Sequence, residues 1–362
     1  MDNLNQNIDN LEKKINDSLD LLRMSSEVFA RQRYSAPDVS DEWSRFKNRK
    51  IISSRNKKGV YLWSFAGGAA VVAVVVVLLM NAGLFSAATS TGDANDGVVV
   101  FKAIDNLDGI TLSSESGSVY NIGVGETDSL LAIDGVKVDE GSIDLRNTTS
   151  VEMQSLSIPR GKSFKVILSD DTEVWLNAES KLYYPSQFME SERVVYLEGE
   201  AYFKVKEDKN RPFVVNSAKM RTKVLGTEFN VRSYTNITEH VTLVEGSVWV
   251  DNVSTNKGVT LSAGQDVSIN SEGDFVLKEV DPYGITLWRD GYFYFNNVSI
   301  NDIVKDIGRW YNVDITFVNP SISDFHLHFT ANRNAGLEHV LDKLNTLQKV
   351  NASFIDGEII IE

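Results

Sequence analysis

The chain has 362 residues, no cysteine and a formal net charge of −14. Without cysteine there is no disulfide framework, no thiol nucleophile and no cysteine metal site. The charge is unevenly placed: residues 1–58 carry 12 Lys and Arg against 9 Asp and Glu, and the remainder 24 against 41, so the larger part argues against direct nucleic-acid binding.

In the first piece Ile8, Leu11, Ile15, Leu19 and Leu22 recur at helical spacing, with Lys13, Lys14, Asp17 and Asp20 between them. Ser35, Pro37, Asp38 and Ser40 supply break and cap signals before a second short helix that sets Trp43 and Phe46 three apart on one face. So short a piece, with few large apolar groups, buries little surface and is expected to fold against something else. A run without any charged side chain then extends over residues 59–92. Its middle, 60–84, makes a helix of about 37 Å, enough to cross a hydrocarbon core of about 30 Å with some tilt. A cleaved secretory signal would be shorter and nearer the start, and a buried core helix would keep a polar face. Arg45, Lys47, Arg49, Lys50, Arg55, Lys57 and Lys58 precede the run, and Lys102 is the first basic residue after it, which leaves residues 1–58 in the cytoplasm. An exported part that must stand without disulfides fits a bacterial periplasm, so the expected location is a bacterial inner membrane crossed once.

Residues 86–97, rich in Ser, Ala, Thr, Gly and Asp, have the composition of a linker. From Val98 to about Val280 short β-branched or aromatic runs alternate with turn residues: VVVFKAI, SVYNIGV, SFKVILS, EVWLNA, RVVYLEG, YFKVKE, PFVVNS, FNVRSY and VTLVEGSVWV. This spacing predicts an all-β domain, sandwich- or solenoid-like. From Trp288 the period changes. A strand is expected at 292–295, and then a helix whose buried face is Ile300, Ile303, Val304, Ile307, Trp310 and Tyr311, with Asn297 or Ser299 near its cap. Strands at 313–318 and 325–330 follow, then a helix through Leu337, Val340, Leu341, Leu344 and Leu347. A hairpin of 352–355 and 358–361 turns at Asp356 and Gly357. The order βαββαββ describes a small α/β module. The whole reads as a multidomain membrane protein: a cytoplasmic helical segment (1–58), one transmembrane helix (59–85), a linker (86–97), a periplasmic β domain (98–280) and a C-terminal α/β domain (283–362).

The stretches IPRGKSFKVILSDDTEVWLNAESKLYYPSQF, ERVVYLEGEAYFKVKEDKNRPFVV, KVLGTEFNVRSY and VTLVEGSVWV, ending in LSAGQ, resemble the periplasmic domain of FecR-type transmembrane anti-sigma factors, with a core at 155–265. The tail LWRDGYFYFNNVSINDIVKDIGRWYNVDITF is similar to the C-terminal domain of one branch of that family, related to the short N-terminal modules of secretins and TonB-dependent receptors. DEWSRFKNR resembles the segment that precedes the span in the same branch. The resemblance implies a relay. The cytoplasmic segment would bind an extracytoplasmic-function sigma factor through Ile8, Leu11, Ile15, Leu19, Leu22, Trp43 and Phe46, and membrane proteases would release it. The exported part would sense the N-terminal signalling domain of a TonB-dependent outer-membrane receptor. No cofactor or metal is implied.

The resemblance also implies one reaction, self-cleavage of the bond between Gly226 and Thr227 in VLGTEFNV. The Thr227 hydroxyl would attack the Gly226 carbonyl in an N-to-O acyl shift, and the ester would then hydrolyse. The plainer reading of the same dipeptide is a glycine at a turn leading into a strand. His326 and His328 alternate along one strand and could ligate a metal, but two ligands without a third read better as exposed strand histidines. Asp170, Asp171 and Asp281 read as turn carboxylates. No Walker, HExxH or G-x-S-x-G pattern is present. The competing function is a membrane-tethered carbohydrate- or envelope-binding module, which predicts a stripe of exposed aromatics and gives the cytoplasmic segment no partner.

Overall fold

The structure, a computed structural model, describes residues 97–362 apart from 105–108, 123–135, 140, 150 and 236. The expected cytoplasmic segment, its sigma-docking residues and the expected span lie outside the described residues. Among the described residues no helix is long and apolar enough to cross a membrane.

After β1 (Val98–Phe101), the chain lays strands alternately on two sheets. β2 (Ile110–Ser114) and β3 (Val119–Ile122) go to sheet one, and β4 (Lys137–Asp139) and β5 (Ser142–Asp144) to sheet two. β6 (Met153–Ile158) returns to sheet one, β7 (Phe164–Ile167) and β8 (Glu173–Leu176) to sheet two, and β9 (Ser180–Pro185) to sheet one. β10 (Arg193–Lys204) belongs to both. The alternation resumes with β11 (Phe213–Asn216) and β12 (Met220–Val224) in sheet one, then β13 (Glu228–Ser233) and β14 (His240–Glu245) in sheet two. β15 (Val248–Asn252) and β16 (Gly258–Leu261) close sheet one, and β17 (Gln265–Ile269) and β18 (Phe275–Glu279) close sheet two. Because β10 is shared, the two sheets are continuous and wrap one core as a flattened, barrel-like sandwich.

The period of two decides what that core contains. On β6 to β9 the inward positions are Leu156, Ile158, Phe164, Val166, Val174, Leu176, Leu182 and Tyr184, all buried. Phe203 stacks on Phe229 at 5.1 Å between ring centres and meets Phe213 at 6.0 Å. The sequence runs RVVYLEG and YFKVKE are one strand here: β10 pairs with β9 through Glu198 and with β13 from Gly199 onward. The turn residue read from the sequence is thus a crossing between sheets. Conversely, the single run VTLVEGSVWV is cut at Gly246 and Ser247 into β14 and β15, which lie on opposite sheets.

Beyond the sandwich come a short helix, α1 (Pro282–Thr286), capped by the Asp281 side chain, and a 3-10 turn, Leu287–Asp290. Then follow β19 (Tyr292–Ser299), α2 (Ile300–Tyr311), β20 (Asp314–Phe317), β21 (His326–Asn332), α3 (Leu337–Asn345), β22 (Ala352–Ile355) and β23 (Glu358–Ile361). This is the expected βαββαββ order. Ser299 caps α2 by accepting from the Asp302 N–H at 3.2 Å, and Asn312 ends the helix in the left-handed region at φ 51°. Ile300, Ile303, Val304 and Ile307 of α2 and Val340, Leu341 and Leu344 of α3 pack a second core with Ile315, Phe317, Ile359 and Ile361. β19 pairs with β21, while β20, β23 and β22 form a separate sheet. The outer strand of that sheet corrects the sequence reading. Val98–Phe101, expected in the β domain, pairs antiparallel with β20 and so belongs to the C-terminal sheet.

Candidate functional site

Pleating gives sheet two an outward face as well as an inward one. On β10 that face carries Glu200 and Tyr202; on β13, paired directly opposite, it carries Arg232 and Asn230. Read as alternation, these polar positions belong in solvent. Glu200 and Asn230 are buried instead, at 4 % and 3 % exposure, and Arg232 is half-buried, because the C-terminal module covers them. The Trp288 indole N–H reaches the Asn230 side-chain oxygen at 3.3 Å, and the Arg289 guanidinium lies 3.7 Å over the Tyr202 ring.

Between the two modules runs a line of shared charges. Arg232 donates to Glu200 at 3.2 Å on its own sheet and to Asp306 of α2 at 2.8 Å. Asp306 also accepts from Arg309 at 2.5 Å. Arg309 turns its Nε to Glu179, in the turn between β8 and β9, at 2.9 Å. Glu179 accepts in turn from Arg160, in the turn between β6 and β7, at 2.8 and 2.5 Å. Arg160 and Arg309 are almost fully buried. For Arg232, burial alone would lower the pKa, but the carboxylates of Asp306 and Glu200 more than offset it and hold the guanidinium charged. Arg333 differs. It is 3 % exposed, stacks 3.7 Å over Trp310 and donates to the Asn177 oxygen at 3.0 Å, and burial brings its pKa down to about 10. A cavity of about 350 Å³ opens beside this line, walled by Arg232, Trp288, Phe293, Asp306 and Arg309 among others.

Gly226 and Thr227 lie elsewhere, in the link from β12 to β13. The Thr227 hydroxyl donates to the Ser247 carbonyl at 3.0 Å, and the Thr227 carbonyl accepts from the Val205 N–H at 3.0 Å. A Cβ on residue 226 would stand 2.7 Å from the Glu207 Cα. Glycine is therefore demanded there by packing, whatever happens at the bond. His326 and His328 are exposed on β21, where His326 Nδ1 lies 2.8 Å from the Asp324 carbonyl oxygen, and no cluster of three metal-ligating side chains occurs among the described residues. Asp170 does more than turn the chain: it holds the fully buried Arg193 at 2.7 Å. Sequence reasoning missed the junction charges, and the signal that could have found them is weak. Glu200, Asn230 and Arg232 interrupt strands at the spacing of an ordinary solvated face.

A β sandwich joined through shared charges to a small α/β module defines a two-module protein. Residues 154–249 match the FecR protein family and residues 292–361 the FecR C-terminal family. Two crystal structures of a candidate anti-sigma factor from Parabacteroides distasonis, at 1.65 and 2.50 Å resolution, are similar to the chain at 29% identity and a TM-score of 0.54. They cover 57% and 58% of this chain, and in each case 98% of the other. No curated protein sequence matches. The chain thus carries a FecR domain and a FecR C-terminal domain in that order.

Proposed function

We propose that the chain is a single-pass anti-sigma factor of a bacterial inner membrane. Its residues 1–58 bind an extracytoplasmic-function sigma factor in the cytoplasm, and its exported modules receive the signalling domain of a TonB-dependent outer-membrane receptor. Membrane proteases release the sigma-bound segment. The observation that carries this reading is the pairing of both FecR-family domains on one chain, behind a charge-free run long enough to span a bilayer. The likeness to the Parabacteroides candidate anti-sigma factor supports the same role. Among the described residues the exposed aromatics do not favour a glycan platform, since Tyr196, Tyr283, Tyr292, Phe325 and Phe354 sit on β10, on α1, at the start of β19, just before β21 and on β22, not along one strand face.

The test is affinity purification of the tagged full-length chain from detergent-solubilised membranes, with the copurifying alternative sigma factors identified by mass spectrometry. One such factor is expected with the wild-type chain and is expected to be lost from the Trp43→Ala, Phe46→Ala double variant. Purification of no sigma factor, together with direct glycan binding by the exported modules, defeats the proposal.

A further inference from the structure

The strand β1 lies outside both family-matched regions, yet it forms the edge of the C-terminal sheet. Its partner β20 lies more than two hundred residues further along the chain, and the bond from the Ala103 N–H to the Asp314 carboxylate spans 211 positions. The pairing is brief. Three of its four residues find register partners, with a shift between Val99 and Phe101, and Val98 and Val99 stay half exposed at 50 % and 45 %. A strand this short, bulged and open adds few backbone hydrogen bonds and little apolar burial.

What holds it is a set of contacts centred on one ring. Phe101 enters a notch on α2 at Gly308, where any Cβ would meet the Phe101 ring at 2.6 Å. The same ring lies 4.4 Å beneath the Arg160 guanidinium and 5.9 Å from that of Arg309. Arg160 also donates to the Lys102 carbonyl at 2.6 Å, and Asn312 exchanges two hydrogen bonds of 3.0 Å with the Ile104 backbone. The strand therefore plugs a sheet edge with a ready notch for one aromatic ring, and its anchor sits on two arginines of the junction.

We propose that the β20 edge is a strand-docking site for an extended segment of another exported protein, and that β1 is the chain's own occupant, displaced when that segment binds. The partner this edge fits is an extended, β-branched stretch carrying an aromatic side chain at the place of Phe101. Backbone pairing would supply affinity, and the Gly308 notch selectivity. Displacement returns residues 97–104, which adjoin the expected linker, to solvent. The site is recognised by binding alone, so its test does not depend on the anti-sigma reading.

The probe is a fluorescent peptide of residues 97–104, titrated into the detergent-solubilised full-length chain and followed by anisotropy. In the Phe101→Ala variant the internal strand competes less well, and the peptide is expected to bind about tenfold more tightly than to the wild-type chain. The second variant pairs Val99→Cys with Thr316→Cys. These positions face each other across the antiparallel pair, within disulfide range, in a chain with no other cysteine. After oxidation with diamide this variant is expected to exclude the peptide, and after reduction to admit it as the wild-type chain does. Equal binding to the wild-type and Phe101→Ala chains, no binding to either, or binding to the oxidised pair overturns the proposal. So does dimerisation of Phe101→Ala in light scattering, which would make a second copy's β1 the occupant.

Discussion

Replacing Asp306 by alanine tests whether the junction is held by its shared charges. The carboxylate is 14% exposed and takes Arg232 from sheet two and Arg309 from α2, at 2.8 and 2.5 Å. Removing one partner of a buried ion pair costs about 3–5 kcal/mol, because a desolvated charge is left without its counter-charge. Here each guanidinium keeps a second carboxylate, Glu200 for Arg232 and Glu179 for Arg309, so the cost falls to about 2–3 kcal/mol. For chains of this size that lowers the melting temperature by about 4–10 °C, measured by calorimetry on residues 93–362. A cycle with Arg232→Ala isolates the pair, with a coupling of about 1–2 kcal/mol expected. A loss below about 0.5 kcal/mol, the range of ordinary surface substitutions, refutes the argument.

Three further outcomes follow from other contacts. Asp170→Ala strips the charge partner from Arg193, which is 0 % exposed, and should cost about 3–5 kcal/mol in denaturant unfolding, whereas Asp171→Ala on the exposed side of the same turn should cost little. Burial alone would raise the Glu228 pKa, but the bonds from Lys204 and the Tyr202 hydroxyl outweigh it and hold the carboxyl below its usual value of 4.5. Its stabilisation is therefore complete above that pH and is lost as pH falls through the lower folded value, and Glu228→Gln should flatten this acid limb of the stability curve. Immunoblotting of the full-length chain for a cut just before Thr227 decides the reaction that the resemblance implies: cleavage predicts two fragments that merge into one band in Thr227→Ala, and an intact wild-type band disproves it.

Local signals were legible where the partner is close along the chain. The hairpin at Asp356 and Gly357 is found as read, because its two strands alternate and its turn residues accept positive φ. The helix α2 was marked by its cap at Ser299 and its apolar face. Long-range pairing left no comparable mark. Nothing in VVVF says whether it completes a sandwich or the edge of another sheet, since either use needs only a short β-branched run. The junction was hidden for a different reason. Glu200, Asn230 and Arg232 occupy the outward positions of their strands, where water is the ordinary neighbour, and the module that covers them leaves the first two buried and Arg232 half-buried.

That covering has an energetic consequence. Desolvating Arg160, Arg232 and Arg309 with Glu179 and Asp306 costs much of what their attraction returns, so such a junction contributes less stability than an apolar one of equal area. What it supplies is placement, since each guanidinium finds its carboxylates in a single relative position of the two modules. An apolar seam tolerates sliding and resists opening. A seam of paired charges resists sliding, and once parted its charges recover their hydration in water. The Phe101 ring on Arg160 and Arg309 ties that seam to the strand nearest the expected span. Withdrawal of β1 and loosening of the charge line should therefore be coupled, and a double cycle of Phe101→Ala with Asp306→Ala should give a stability loss that departs from the sum of the two single losses by more than about 0.5 kcal/mol.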